Sequence, residues 1–276
     1  TDTKPLKVGL VGCGGRGLGA MKNALDADPG TMVWALADVF QERIDFGAKL
    51  LAEQYGNRAQ LDRSRLFSGL DSYKRLLQTD IDVVLLCTPP AFRPEHLAAA
   101  IDASKHIYAE KPVAVDVPGV LSVLESARLA KLKNLVILDG FCWRYDKANE
   151  EAHRKLSSGL LGRVLSFDGL YYTTPPKSPL ALDSRPSSDT DVAWALRNWT
   201  AWNWLSGGQF VEQIVHTIDG MVWSMNEQLP LAAFGSGGRA QRRDDGDVWD
   251  HYDVYFEYDH NVTAHISCRQ WVGCHG

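Results

Sequence analysis

Apolar residues in the first half of the chain come in short unbroken runs, separated by stretches with helical spacing. The segments at 6–12 (LKVGLVG), 31–38 (TMVWALAD), 81–87 (IDVVLLC), 106–110 (HIYAE) and 134–138 (NLVIL) are apolar on both faces. Between them, 16–27, 43–56, 96–104 and 118–132 carry the 3.6-residue period of helices. Strands buried on both faces and alternating with helices imply a parallel sheet covered on each side, a doubly wound α/β fold.

After about residue 140 the texture changes. A helix is predicted over 147–158, ended by Gly159, followed by a strand near 163–172 and a long irregular loop, TTPPKSPLALDSRPSSD. A tryptophan-rich segment (194–204) comes next, then a helix opened by SGGQF and running to about Met225, then alternating strands in VWDHYDVYFEY and NVTAHISCRQW. Strands that succeed one another without helices between them predict an α+β domain with an open, mainly antiparallel sheet. The expected domains are 1–140 and 141–276. The last strand ends without a capping helix, so the second domain is expected to continue past Gly276.

Composition narrows the function classes. Of 276 residues, 45% are hydrophobic and 23% charged, with a net charge of -5, which leaves no basic footprint for a nucleic acid. The longest apolar runs, such as VVLLC at 83–87, are too short to span a bilayer. The chain starts without methionine, so the compartment stays open: cytoplasmic, or exported if an upstream signal was removed. Cys13, Cys87, Cys142, Cys268 and Cys274 form no CxxC pair and read as small core residues, and the eight histidines show no HxxxH or HExxH spacing, so no metal site is expected.

GCGGRG at 12–17 lies between the first strand and the first helix and fits G-x-G-x-x-G with Gly12, Gly14 and Gly17, with Gly15 and Arg16 in the same turn. Glycine serves there for a tight turn, for approach of a pyrophosphate to the backbone and for close helix-to-strand packing, while the helix N-terminus offers N–H groups to phosphate. Asp38 ends the second strand about twenty residues on, where a carboxylate can accept hydrogen bonds from both adenine-ribose hydroxyls. It would repel a 2'-phosphate, so NAD is favoured over NADP. Ligands of doubly wound sheets sit outside the carboxyl ends of the strands, which brings in CTPPAFRPEH (87–96), with Thr88, Pro89 and His96, and AEKP (109–112), with Glu110 and Lys111. His96 reads as helix-start packing near the cofactor.

These motifs, together with TPPAFRPEHLAAAIDASKHIYAEKP and GGQFVEQIVHTID at 207–219, resemble the glucose-fructose oxidoreductase / inositol dehydrogenase / rhizopine-catabolism family (Gfo/Idh/MocA) over essentially the whole chain. The resemblance implies a Rossmann domain followed by an α/β domain, hydride transfer between NAD(P) and a sugar, inositol or related polyol, and roles for Lys111 and His216 at the nicotinamide end. Two departures stand out. The family's TPN is replaced by Thr88-Pro89-Pro90, and the acid four residues before the histidine is Glu212 in place of Asp. The variant also resembles a branch often found with export signals.

Oxidising a secondary alcohol needs a base for the hydroxyl proton. A positioned histidine such as His216 suits that task. Glu212, one helical turn before it, lies on the same face, which places both on one wall of a pocket. Lys111 can stabilise negative charge on the substrate oxygen, and Glu110 positions the cofactor or the lysine. Arg144, at the junction of the halves, is a candidate for holding a substrate hydroxyl or carboxylate. Among Trp194, Trp199, Trp202 and Trp204, which otherwise bury a sheet face or an interface, Trp199 is the candidate for stacking on a sugar. The run RRDDGDVWDHYD reads as a solvated hairpin region. The expected partners are a small carbohydrate and, because an open sheet leaves a face to cover, further copies of the chain. Two other readings are an NAD-dependent glycosidase working by transient oxidation and a non-catalytic NAD-binding sensor.

Overall fold

A computed structural model describes residues 4–175, 180–271 and 273, and the chain divides into two units, Thr1–Gly140 and Phe141–Gly276. In the first, the elements run β1 (Leu6–Val11), α1 (Gly15–Ala27), β2 (Thr31–Asp38), α2 (Gln41–Tyr55), β3 (Leu66–Ser68), α3 (Ser72–Leu77), β4 (Val83–Leu86), α4 (Arg93–Asp102), β5 (His106–Ala109), α5 (Val117–Leu132) and β6 (Ile137–Asp139). The sheet order is β3-β2-β1-β4-β5-β6, and every pairing is parallel. Alternate residues of each strand enter opposite cores. Leu10, Leu36 and Leu85 pack with Leu18, Met21, Leu25 and Ile44 on one face, while Val11, Ala37, Val84 and Leu86 pack with Leu76, Leu97 and Ile101 on the other. Burial on both faces is why these strands read as continuous apolar runs. The order reverses between β1 and β4, which places their carboxyl ends side by side at the switch point where ligands bind in such sheets. β3 and α3 lie in 57–80, where three strand residues and six helical ones are too few to establish a period.

The second unit contains α6 (Lys147–Ser157), β7 (Ser166–Thr173), α7 (Asp191–Arg197), α8 (Asn203–Ser206), α9 (Gly208–Glu212), α10 (Val215–Ser224), β8 (Ala232–Gly238), β9 (His251–Glu257) and β10 (Thr263–Gln270). Its four-stranded sheet has the order β7-β10-β9-β8, antiparallel except for the β7–β10 pair. On one face Phe256, Ala264 and Ile266 pack with Ile214 and with Met221 of α10 in a core with partly buried Phe167 and Phe210. The opposite face exposes Leu170, Phe234 and Tyr255, the last stacked between Phe234 and His265.

Three expectations need correction. The helix expected from SGGQF to Met225 is two helices, because Gln213 leaves helical geometry (φ -120°, ψ -50°). The N–H groups of Gln213 and Ile214 both donate to the Gln209 carbonyl, and the Gln213 side chain accepts from Gln270 Nε2 at 2.7 Å, which holds the break. The run at 242–253 does join the antiparallel strands β8 and β9, but it is not solvated throughout. Asp250 is fully buried and accepts N–H bonds from Ala240, Gln241 and Arg242; burial alone would raise its pKa, but these donors and His251 hold it at about 2. Of the cysteines, Cys13 and Cys268 are core residues and Cys87 is partly buried, whereas Cys142 is exposed on the short 3-10 turn Cys142–Tyr145; Cys274, like Pro176–Pro179 of the proline-rich loop, lies outside the described residues.

Candidate active site

At the switch point of the first sheet the three motif glycines meet different demands. Gly12 has φ +98°, and a Cβ there would lie 2.7 Å from the Cys87 carbonyl carbon and 2.8 Å from Thr88 N, so both its conformation and the neighbouring end of β4 require glycine. A Cβ on Gly17 would collide with the Gly12 carbonyl oxygen, which fixes α1 close to β1. Gly14 differs. It caps α1 at φ -75°, and a Cβ would meet nothing within 4 Å, so no contact within the protein calls for glycine. A side chain would instead fill the open approach to the helix N-terminus, where the first N–H groups have no intrahelical acceptor. A Cβ on Gly15 would likewise meet nothing within 4 Å. That cradle fits the pyrophosphate of a dinucleotide.

Asp38 is buried at the end of β2 and already orders the turn. Its Oδ2 accepts the Cys13 N–H at 2.8 Å and its Oδ1 the Phe40 N–H at 3.0 Å. A carboxylate has about four acceptor positions, so capacity remains for ribose hydroxyls. The Cys13 thiol beside it is inert as a nucleophile, because burial, with Asp38 adding to it, pushes its pKa well up.

The ends of β4 and β5 supply the next residues. Arg93, almost fully buried, donates to the carbonyls of Leu86 (2.5 Å) and Thr88 (2.8 Å) and so fixes the backbone where β4 turns into the Thr88-Pro89 segment. Sequence reasoning passed over it; an arginine at the start of an amphipathic helix reads as solvated. His96 is buried between Tyr73 and Phe92, with Nδ1 3.2 Å from Thr88 Oγ1. Burial, then the charges of Arg93 and Lys74, push its pKa down to about 3, so it is a neutral packing residue at neutral pH. Glu110 is buried; its Oε1 accepts from Tyr108 Oη at 2.8 Å and pairs with Arg16 Nε at 2.8 Å. Glu110 thus ties the first turn of α1 to the end of β5, which accounts for one of the two charges that close this strand. The other, Lys111, is partly buried and precedes a cis peptide bond to Pro112.

In the second unit His216 lies one residue into α10 and is buried. The Trp143 indole stacks on it at 4.9 Å between centroids and 23° between planes, and Phe141 meets it edge-on at 6.2 Å. Tyr171 of β7 also stacks with Trp143, at 6.1 Å between centroids. Burial, then Cys142 and Glu212, raise the Tyr171 pKa. Trp143, Phe141 and Tyr171 had no part in the sequence reading, because nothing in a single sequence pairs residues 141–143 with 216. Glu212 ends α9 and is separated from His216 by the break at Gln213, so the two do not share one continuous helix face. Arg144 is committed elsewhere. It makes a bidentate pair with Asp219 (Nε to Oδ2 2.9 Å, Nη2 to Oδ1 2.8 Å) and bonds Glu227 at 2.8 Å, contacts that raise its pKa and use the fork a substrate carboxylate would need. Trp199 is half-buried in the short turn Trp199–Ala201, and Trp194 is in the core. Among the described residues no group of three His, Cys, Asp or Glu side chains could hold a metal ion.

Residues 6–137 match the family model described as an oxidoreductase family with an NAD-binding Rossmann fold, and residues 149–275 match the GFO/IDH/MocA C-terminal domain. The chain belongs to the Gfo/Idh/MocA oxidoreductase family. Similar proteins include a dTDP-3,4-didehydro-2,6-dideoxy-alpha-D-glucose 3-reductase of Actinomadura kijaniata, 28% identical over 177 residues that cover 64% of this chain and 48% of that protein. An inositol 2-dehydrogenase of Salmonella typhimurium is 25% identical over 227 residues, 80% of this chain and 55% of that protein. The chain spans about half the length of these curated relatives. The crystal structure of myo-inositol 2-dehydrogenase from Lactobacillus plantarum shares the fold, with a TM-score of 0.74 at 20% identity over 97% of this chain and 70% of that one.

As a Gfo/Idh/MocA protein the chain has an NAD-binding Rossmann fold. No helix among the described residues is long and apolar enough to cross a membrane.

Proposed function

We propose that this Gfo/Idh/MocA protein is an NAD-dependent dehydrogenase acting on a secondary hydroxyl of a sugar, polyol or related carbohydrate, with Lys111, His216 and Glu212 at the reacting group. The observation that carries the reading is the state of His216: a histidine in the family's second domain, buried against Trp143 and Phe141. A solvated surface histidine would not need an aromatic wall. NAD, when bound, supplies the hydride acceptor. His216 takes the hydroxyl proton as general base, a role worth roughly 10²- to 10⁴-fold. Lys111 stabilises the negative charge that develops on the substrate oxygen. Glu212 binds or orients the substrate from the end of α9. The names of the Salmonella and Lactobacillus relatives support a polyol, and that of the Actinomadura relative supports a nucleotide-linked keto sugar as a substrate of the same reaction class.

Asp38 favours NAD over NADP, since a buried carboxylate that already orders the turn disfavours a 2'-phosphate. The apolar face of the second sheet, with Leu170, Phe234 and Tyr255 exposed, is where a second copy would pack. A glycosidase using transient oxidation is the second reading, supported by the name of a Bacteroides fragilis glycosyl hydrolase family 109 protein that is 27% identical over 168 residues. Nicotinamide absorbance, followed with a polyol and sugar panel in wild-type, Lys111→Ala and His216→Ala proteins, tests the reading. Reduction of NAD that falls at least a hundredfold in both variants is expected; variants as active as the wild type remove the assignment.

A further inference from the structure

Beside Glu212 the second unit encloses a small polar pocket whose other lining side chains have no role in the reaction described so far. Gln209, Gln213, Gln270, Arg242, Ser206 and Glu212 contribute to its wall. Gln209 is 2% exposed, and neither its Oε1 nor its Nε2 finds a hydrogen-bond partner among the described residues. The Arg242 side chain is 6% exposed. Its Nε donates to Asp244 Oδ2 at 2.8 Å and its Nη1 to Gln270 Oε1 at 3.2 Å, while its Nη2 is buried with no partner among the described residues. Gln270 in turn donates to Gln213 Oε1 at 2.7 Å. A chain of hydrogen bonds therefore runs Asp244, Arg242, Gln270, Gln213, and the polar atoms without partners are the Gln209 amide and one arginine nitrogen. Burying an amide with neither end satisfied is costly, and a hydrophobic residue of the same size would serve packing better.

We propose that this pocket is a subsite for a single hydroxyl of a neutral polyhydroxy ligand, with Gln209 and Arg242 as its specificity-determining residues. It rests on the reading of the protein as a carbohydrate oxidoreductase and assigns the substrate class of that site. Three features select this chemistry. The Gln209 amide presents both a donor and an acceptor, and a hydroxyl satisfies both where a carboxylate satisfies only donors. The charged groups on the wall are one cation, Arg242, and one anion, Glu212, and the cation is already paired with Asp244; an anionic ligand would meet no net positive charge. The free space is about 20 Å³, enough for a water-sized group such as one hydroxyl. Arg242 and Gln270 also border a cleft of about 410 Å³ with Leu180, Leu182 and Asp245, which has room for the rest of a sugar. An oxygen held in the pocket lies next to Glu212, so the subsite would set which carbinol of the ligand is presented for reaction.

Gln209→Met, nearly the same size, tests this on the full protein with myo-inositol, sorbitol, glucose and, as an anionic control, glucuronate. Binding is measured by calorimetry and turnover by nicotinamide absorbance. The expected result is an at least tenfold loss of affinity and rise in KM for the polyol the wild type prefers, with dinucleotide affinity unchanged and a melting temperature equal to or above that of the wild type. A merely structural glutamine would lower the melting temperature and leave polyol affinity alone, and that outcome overturns the proposal. Gln209→Glu, which keeps the shape and removes both N–H donors, must weaken polyol binding too; full affinity in this variant also overturns it. Preference of the wild type for glucuronate over every neutral ligand overturns the ligand class. Polyol binding that depends on Gln209 without any turnover would retain the subsite and remove the dehydrogenase reading, so the two can fail separately.

Discussion

The Trp143 indole lies against the His216 imidazole, centroids 4.9 Å apart, and also stacks with Tyr171. One aromatic stack therefore joins β7, the turn at 142–145 and α10, and the orientation of His216 depends on a residue that is 42% exposed. Trp143→Ala is expected to lower kcat by about 10- to 100-fold through misplacement of the imidazole, with a stability loss of about 1 kcal/mol. Trp143→Phe, which keeps an aromatic face, recovers most of the rate. Steady-state kinetics and thermal unfolding of both variants check this.

Gly14 and Gly17 separate ligand approach from packing. Gly14→Ala has open space for its methyl group and an ordinary backbone conformation, so unfolding free energy should change by less than about 0.5 kcal/mol. Dinucleotide affinity should nonetheless fall at least about tenfold, because the methyl group stands in the approach of the phosphates. Gly17→Ala meets the Gly12 carbonyl oxygen and should cost about 3 kcal/mol or more whether or not nucleotide is present. Chemical denaturation and fluorescence titration with NADH distinguish the two.

Asp38 combines cofactor choice with turn order. Asp38→Ser removes the carboxylate that disfavours a 2'-phosphate, so the ratio of NADP to NAD affinity should rise at least about tenfold. The Cys13 and Phe40 N–H groups lose their acceptor, so stability should fall by about 1–3 kcal/mol in the same variant. Nucleotide titrations paired with denaturant melts give both numbers.

His96 makes the first unit sensitive to acid. Burial, with Arg93 and Lys74 adding to it, lowers its folded pKa to about 3, below the roughly 6.5 of an unfolded histidine. Between these values the unfolded chain binds the extra proton, so the stability contributed by neutral His96 is complete above about pH 6.5 and is lost progressively as pH falls toward 3. His96→Gln, which does not titrate, should lose less stability than the wild type between pH 6.5 and 4. Equal acid slopes for the two proteins contradict the assignment.

How much of this was legible beforehand depends on whether a feature is local. The strands with Leu10, Leu36 and Leu85 announce themselves because both faces are buried, and the glycine turn and Asp38 are legible because a short stretch of chain holds each demand. β8 (Ala232–Gly238) is hidden by its glycines, which pair well on the sheet edge but carry no hydrophobic period. The break at Gln213 is set by Gln270, 57 residues away, and the burial of Asp250 by N–H groups eight to ten residues before it; neither leaves a periodic trace. Arg144 shows the same limit from the other side, since its position at the junction suggested a ligand and only the fold brings Asp219 and Glu227 to it.

The fate of the carbinol hydrogen tests the central claim most directly. The full protein is given NAD and a polyol deuterated at every carbon, and the nicotinamide product is analysed by mass spectrometry and NMR. Direct transfer predicts one deuterium at C4 of the reduced nicotinamide, stoichiometric with the ketone formed, and its loss in both Lys111→Ala and His216→Ala. Ketone formed without label in the cofactor, or labelled cofactor formed as fast in the two variants as in the wild type, contradicts the account.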